Sequence, residues 1–243
     1  MTATSHVVWH DVECSSYDAD LALWRELAAA ERGPILDVGA GTGRVALDLA
    51  GHGHKVVALD IDAELLAELQ RRAAGRGLAV ETVVADAGAF ELPGRSFGLI
   101  LAPMQTVQLL GPNERAGFLR AARAHLAPGG LVACALADVF EAFDTDHLIL
   151  PLPDRLVVAG VLYSSQPIAV RDEGDRVAIE RIRETLDGEG RRTASANLIH
   201  LDRVEAVLVE AEASAAGLRP QPVRAIGATD DHVGSSVVML REP

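Results

Sequence analysis

The sequence predicts an α/β fold: a Rossmann-like, seven-stranded, mostly parallel sheet with helices on both faces and an antiparallel β insertion after strand five. Three observations predict it. Up to about residue 137, short apolar runs alternate with segments of helical periodicity, the pattern of a parallel sheet covered on both faces. A glycine-rich turn follows the first of these runs. Beyond about residue 150 the runs are strand-like, and Asp172-Glu173-Gly174-Asp175 and Asp187-Gly188-Glu189-Gly190 supply hairpin turns between them.

The elements follow in order. Residues 16–31 place Leu21, Trp24, Leu27 and Ala28 at helical spacing, with Asp18 or Asp20 as N-cap and Gly33-Pro34 as the stop. The first strand is 35–38, and 44–50 is a helix closed by Gly51 and Gly53. The second strand, 56–59, ends at Asp60, and Asp62 caps a helix whose Leu65, Leu66, Leu69 and Ala73 share one face. Strands at 80–85 and 97–102, a helix at 113–127 and a fifth strand at 130–136 continue the alternation. The insertion reads as strands 156–163, 167–171, 177–186 and 192–201. Asp202 with Glu205 then reads as a capping box for a helix that turns Val204, Val207, Leu208 and Ala211 inward and stops at Gly217. Strands near 219–226 and 233–240 complete a single domain over 1–243: arm and helix 1–33, core 34–137 and 202–243, insertion about 150–201.

With 243 residues, 49% of them apolar, the chain suits one packed domain. Its net charge of −13 disfavours a nucleic-acid partner, because such binding depends on neutralising phosphates. Lys55 is the only lysine. Arg171, Arg176, Arg181, Arg183, Arg191 and Arg192 alternate with acids and read as a solvated, salt-bridged face. Cys14 and Cys134 lie far apart without metal spacing, so reduced thiols and a cytoplasmic protein are expected. No basic-then-apolar leader and no membrane-length apolar run is present, so no membrane partner is expected.

The turn Asp37-Val38-Gly39-Ala40-Gly41-Thr42-Gly43 joins the first strand to its helix. Glycines there let a ligand approach the main chain. A dinucleotide turn of the form Gly-x-Gly-x-x-Gly needs glycine where Arg44 stands. Asp37 also aims an acid at the ligand and would repel a pyrophosphate. A ligand with an ammonium and a sulfonium but no phosphate fits better, and S-adenosylmethionine has those groups. An NAD-dependent oxidoreductase is disfavoured on the same two residues. Asp60 can accept ribose hydroxyls and Asp86 the adenine amine, so three acids end three successive strands at the crevice where open α/β sheets bind ligands.

Several segments together resemble one family. ILDVGAGTGRVALDLA looks like motif I of class I S-adenosylmethionine-dependent methyltransferases. VVALDIDAELL is similar to the post-I motif, VVADA to the adenine motif, and FGLILAPMQTVQLL with LAPGGLVACAL to the later core motifs. The resemblance covers roughly 16–136 and implies a seventh strand antiparallel to the rest. It implies that Asp37, Gly39, Ala40, Gly41 and Gly43 hold the methionine part, Asp60 and Ile61 the ribose and adenine face, and Asp86 and Ala87 the adenine edge. Ala102 and Pro103 would line the pocket near the sulfonium, and Tyr17 resembles the tyrosine that covers the cofactor. Methyltransferases of DNA adenine or protein glutamine carry Asn or Asp-Pro-Pro-Tyr after strand four; this chain has Ala102-Pro103-Met104-Gln105. It resembles instead the small-molecule branch, whose acceptor pocket is built by an N-terminal arm and an insertion after strand five.

The expected activity is therefore methylation of a small molecule, in specialised metabolism, with S-adenosyl-L-homocysteine released. A cofactor-binding protein of the same fold catalysing another reaction, such as cyclisation, is the alternative, because fold does not fix chemistry. Alignment and exclusion of water are the main tasks, and an oxygen acceptor adds the need for a base. His10, His147 and Gln105 are the catalytic candidates; Glu13, Met104, Tyr163 and His200 are candidates for the substrate pocket. His200 shares a strand face with Ala194, Ala196 and Leu198 and reads as a core histidine. His6 and His10 are four apart, but no helix is evident and no third ligand follows, so no metal is expected. A monomer or homodimer is expected.

Overall fold

The computed structural model describes residues 5–138, 141–146, 150–230 and 232–242. Two helices open it, α1 (Ser5–Cys14) and α2 (Leu21–Ala30). The first is a correction to the reading of 1–15 as an arm without a helix. Its sequence, SHVVWHDVEC, is rich in valine and favours a helix weakly. Tertiary contacts support it instead. Asp11 pairs with Arg72 and accepts from the Thr42 hydroxyl at 2.8 Å. Glu13 takes both an Nε and a terminal nitrogen of Arg183 at 2.7 Å. In α2 Trp24, Leu27 and Ala28 are buried as the spacing predicts, while Leu23 is buried in place of Leu21, which is only half-buried. Asp20 stands at the N-cap, yet its carboxylate caps nothing and binds Arg44 and the Trp24 indole N–H.

The core then alternates: β1 (Ile35–Val38), α3 (Arg44–Gly51), β2 (Val56–Asp60), α4 (Ala63–Gly75), β3 (Val80–Val84) and β4 (Phe97–Ala102). A 3-10 turn (Thr106–Leu109), α5 (Pro112–His125) and β5 (Leu126–Ala137) follow. After the insertion come α6 (Ala206–Ala215), β10 (Arg219–Ile226) and β11 (Ser235–Arg241). The seven-stranded sheet has the order β10-β11-β5-β4-β1-β2-β3. Its last strand, β11, runs antiparallel to both β10 and β5.

Alternate residues of the central strands feed two separate cores. Ile35, Leu99, Leu101, Leu131 and Ala133 join α2, α3 and α4 on one face, while Leu36, Val38, Ile100, Val132 and Cys134 join α5 and α6 on the other. This two-sided burial is why these strands are apolar throughout.

Between β5 and α6 lies a four-stranded antiparallel sheet of order β6-β7-β8-β9: β6 (Asp154–Val158), β7 (Val161–Asp172), β8 (Arg176–Leu186) and β9 (Arg192–Asp202). The expected strand 156–163 is broken at Ala159-Gly160, both at positive φ (50° and 81°). Two positive-φ residues make the tight turn that matches strand twist, and alanine in the first position conceals it in the sequence. Of the arginines read as a solvated face, Arg171, Arg191 and Arg192 are exposed and paired. Arg181 and Arg183 instead turn inward onto Asp154 and Glu13.

The α6 capping box does not form. Asp202 ends β9 and pairs with the buried Arg115, which also takes both oxygens of Glu212 at 2.8 and 2.9 Å. The helix starts after Glu205, so Val209 and Ala213 face inward while Val207 and Leu208 are exposed. The demand of Arg115 for acids outcompetes the local cap.

Candidate cofactor and acceptor site

A cavity of about 570 Å³ opens at the carboxyl ends of β1, β2 and β4 and just beyond β3. Strand order reverses between β1 and β4, the position where open α/β sheets bind ligands. Asp37, Gly39 and Ala40 line it from the first strand, Asp60 and Ile61 from the second, Asp86 and Ala87 after the third, and Pro103, Met104 and Gln105 after the fourth.

The turn after β1 needs its glycines. Gly43 begins α3 at φ +92°, and a Cβ there would lie 2.6 Å from Leu69 Cγ. Gly41 has φ +54°, and a Cβ there would meet His10 Nε2 at 2.3 Å. Its N–H donates to Asp60 Oδ2 at 2.8 Å, and the Asp62 N–H donates to Asp60 Oδ1 at 2.9 Å. Asp60 thus locks the turn while bordering the cavity. Asp86 is exposed and accepts from the Gly88 N–H at 2.7 Å. Ile61 is 70% exposed at the cavity edge, an apolar face left for a ligand.

Asp37 is the least satisfied group. It is 1% exposed, and neither carboxylate oxygen makes a hydrogen bond of good geometry. Burial pushes its pKa up to about 7, against the weaker pull of Arg44 and of the Ala46 N–H in the first turn of α3. Arg44 also lines the cavity, but its guanidinium is committed to Asp20 at 2.5 and 2.7 Å and to the Tyr17 carbonyl at 2.9 Å. The charged lining is therefore mainly acidic: Asp37, Asp60, Asp62, Asp86 and Glu114.

Helix α1 walls the cavity with His6, His10 and Cys14, each one turn after the last. His6 Nε2 lies 2.7 Å from Asp62 Oδ2. Burial lowers the pKa of His10, more strongly than Asp11 and Asp60 raise it. The Thr42 hydroxyl hydrogen goes to Asp11, so the 3.5 Å contact from Thr42 to His10 Nδ1 runs from Nδ1–H. His10 Nε2, which faces Gly41, then keeps its lone pair. Burial raises the Cys14 thiol to about 11 and keeps it neutral. Met104 has φ 53°, a strained conformation for a side-chain-bearing residue, in the turn that presents Gln105.

Several expected site residues lie elsewhere. Tyr17 is buried under the Arg44 guanidinium, 5.2 Å from its ring centre, and does not border the cavity. Gly41, Gly43 and Ala102 do not line the cavity either. Glu13 is held below its ordinary pKa: burial pushes it up, but hydrogen bonds from Arg183 and Ser165 outweigh that, and it ties α1 to the insertion. Tyr163 packs edge-on against Trp9, with ring centres 5.1 Å apart, on the far side of α1. His200 is no core residue: it sits on an exposed strand face, 3.5 Å from Glu173, beside a shallow depression. His147 lies outside the described residues. Sequence reasoning missed His6, Cys14, Thr106, Leu109 and Glu114 as wall residues. The i, i+4, i+8 spacing of His6, His10 and Cys14 was the available signal. Among the described residues, no three His, Cys, Asp or Glu side chains are placed to hold a metal, and no helix is long and apolar enough to cross a membrane.

Sheet order, glycine turn and the placement of the three acids together define a class I S-adenosylmethionine-dependent methyltransferase fold. Residues 35–130 match the family model described as methyltransferase domain. The uncharacterized protein Rv1405c of Mycobacterium tuberculosis is 32% identical over 112 residues, 44% of this chain and 39% of that protein. A demethylmenaquinone methyltransferase of Thermus thermophilus is 40% identical over 92 residues, 35% of this chain and 41% of that protein. The chain thus spans about two fifths of the length of these curated relatives. Among solved structures, the S-adenosylmethionine-bound amino pentose methyltransferase CalS10 of Micromonospora echinaspora matches with TM-score 0.72 and 20% identity, covering 100% of this chain and 98% of that one. The sugar N-methyltransferase KedS8 of a Streptoalloteichus species matches with TM-score 0.72 and 20% identity, covering 100% and 94%. At such identity the likeness is one of fold.

Proposed function

We propose that this protein transfers a methyl group from S-adenosylmethionine to a small molecule. The observation that carries the proposal is the poorly satisfied carboxylate of Asp37 on the floor of an acid-lined cavity. A buried carboxylate without a good partner is costly unless a cation completes it. The donor set fits this cofactor: an ammonium for Asp37, hydroxyls for Asp60, an amine for Asp86, and an apolar face at Ile61. When bound, S-adenosylmethionine supplies a methyl group already activated on a sulfonium.

The chain's residues then have three tasks. Gly39 and Ala40 let main chain approach the ligand, while Asp60 holds the turn's shape through the Gly41 N–H. Helix α1 covers the cavity and excludes water. His10, neutral and with a lone pair on Nε2, takes the proton of an acceptor hydroxyl or ammonium, and Gln105 orients that acceptor by hydrogen bonding. Small-molecule acceptors are supported by the Pro103-Met104-Gln105 turn, and CalS10 and KedS8, which share the fold, act on sugars by their names.

Calorimetry with S-adenosylmethionine, S-adenosylhomocysteine and NADH side by side tests the cofactor, and binding of NADH alone overturns it. A panel of small-molecule acceptors scored for mass gain of one methyl tests transfer. Product formed with the cofactor unconsumed would establish the non-methylating alternative.

A further inference from the structure

We propose that Gln108, which stands outside the cavity, is a positioning residue: its side-chain amide fastens the turn carrying Met104 and Gln105 to the end of β5. Strands β4 and β5 pair as far as Ala102 and Cys134, after which the chain of β4 turns away at Pro103. Strand β5 runs on to Ala137. The next N–H, of Asp138, donates to the Gly234 carbonyl at 2.9 Å on the β11 side, so the Ala137 N–H points to the side that β4 has left. Gln108 stands in for the strand there. The Ala137 N–H donates to its Oε1 at 2.8 Å, and its Nε2 donates to the Ala137 carbonyl at 3.4 Å. A glutamine amide carries the donor and acceptor of a peptide group, and Gln108 is 6% exposed.

The clamp bears on the site because Gln108 and Gln105 share one turn. The Gln108 and Leu109 N–H groups donate to the Gln105 carbonyl at 2.9 and 3.0 Å. One residue earlier, Met104 holds φ 53°. Strained backbone of that kind persists only where its surroundings over-determine it. At the near end the Thr106 hydroxyl donates to the Pro103 carbonyl at 2.8 Å, and Thr106 seats against Gly39, where a Cβ would come within 2.7 Å. At the far end Gln108 grips Ala137. Without that grip Met104 relaxes to negative φ and Gln105 leaves its place, which matters on the reading given above in which Gln105 orients the acceptor. Asp37 and Asp60 belong to β1 and β2, and Asp86 follows β3, so the cofactor half of the cavity keeps its shape.

Methionine methyl NMR on the whole chain tests the clamp without an acceptor, since two of the 3 methionines report on its two ends. Met104 lies in the turn, and Met239 pairs with Ala133 of β5. Gln108→Leu keeps the bulk and removes both bonds. In it the Met104 methyl signal shifts while that of Met239 stays, and calorimetric affinity for S-adenosylmethionine remains that of the wild type. For an acceptor found in the panel above, kcat/KM falls by about 10- to 100-fold, the cost of a misplaced orienting group. Gln108→Glu, of the same shape but without the amide donor, gives a smaller shift of the same signal and serves if the leucine variant does not fold. A Met104 signal that stays, or that moves only together with that of Met239, overturns the clamp. A Met104 signal that moves while transfer is unchanged, with Gln105→Ala equally silent, overturns instead the acceptor role of Gln105.

Discussion

Arg44 binds both carboxylate oxygens of Asp20, at 2.5 and 2.7 Å, and leaves the neighbouring Asp37 without a hydrogen bond of good geometry. The nearest arginine to the cavity floor is thus neutralised by an acid outside it, and the acid on the floor stays available. This arrangement costs stability and suits a cationic ligand. Each expectation below tests part of it.

Asp37→Asn removes a buried carboxylate with pKa about 7 where the unfolded chain has about 3.8. The folded chain keeps a proton that the unfolded chain releases across that interval, so stability falls as pH rises from about 4 to about 7 and is flat above. The variant loses this slope. Its Tm at pH 8 rises by about 5 °C, while affinity for S-adenosylmethionine drops by about 10- to 100-fold. Calorimetry and thermal melts check both, and a variant that binds normally refutes the assignment.

Cofactor affinity should itself depend on pH. Asp37 is ionised above about pH 7, so affinity weakens as pH falls below that value, by up to about tenfold per unit. At the high end the ligand's own α-amino group loses its proton near about 7.7–8.0. Binding therefore peaks between the two, and titrations from pH 5.5 to 9 in wild type and Asp37→Asn read the difference. Flat wild-type affinity between pH 5.5 and 7 contradicts it.

Asp60→Ala weakens cofactor binding by about 1.5–3 kcal/mol, the worth of charged hydrogen bonds. The structure adds a second expectation. Asp60 also holds the Gly41 and Asp62 N–H groups, so the variant loses stability in urea as well, by about 1–3 kcal/mol for donors left unpaired. Unchanged affinity in the folded variant excludes Asp60 from the ribose role.

His10→Asn lowers kcat by about 10²- to 10⁴-fold if His10 is the base. Because burial holds the His10 pKa below 6.5, the acid limb of kcat at saturating cofactor falls below that pH, and it disappears in the variant. A kcat that is unchanged, or an acid limb that persists, removes His10 from the chemistry.

Asp20→Ala strands Arg44 inside the protein and leaves the Trp24 indole N–H without its acceptor. Breaking one partner of a buried pair costs about 3–5 kcal/mol. Denaturant unfolding reads the loss, and a change below about 1 kcal/mol contradicts the geometry.

The alternation of apolar strands and helices, the glycine turn and the three acids were legible in the sequence because each depends on local patterning. Strands apolar on both faces, such as β1 and β2, can only be interior, and Asp37, Asp60 and Asp86 stand at or just beyond the carboxyl ends of β1, β2 and the half-exposed edge strand β3. What the tertiary structure decided depends on partners distant in the chain. Helix α1 forms because Arg72 and Arg183 hold Asp11 and Glu13, and it brings His10 to the cavity. Glu13, Tyr163 and His200 were read toward the pocket from neighbours along the chain, but ion pairs and ring contacts with remote elements draw them away. Asp202 forsakes its local cap for Arg115 for the same reason. Periodicity and turn chemistry act over a few residues, so sequence alone reveals them; the choice of partner for a charged side chain is made across tens of residues, and only the folded chain shows it.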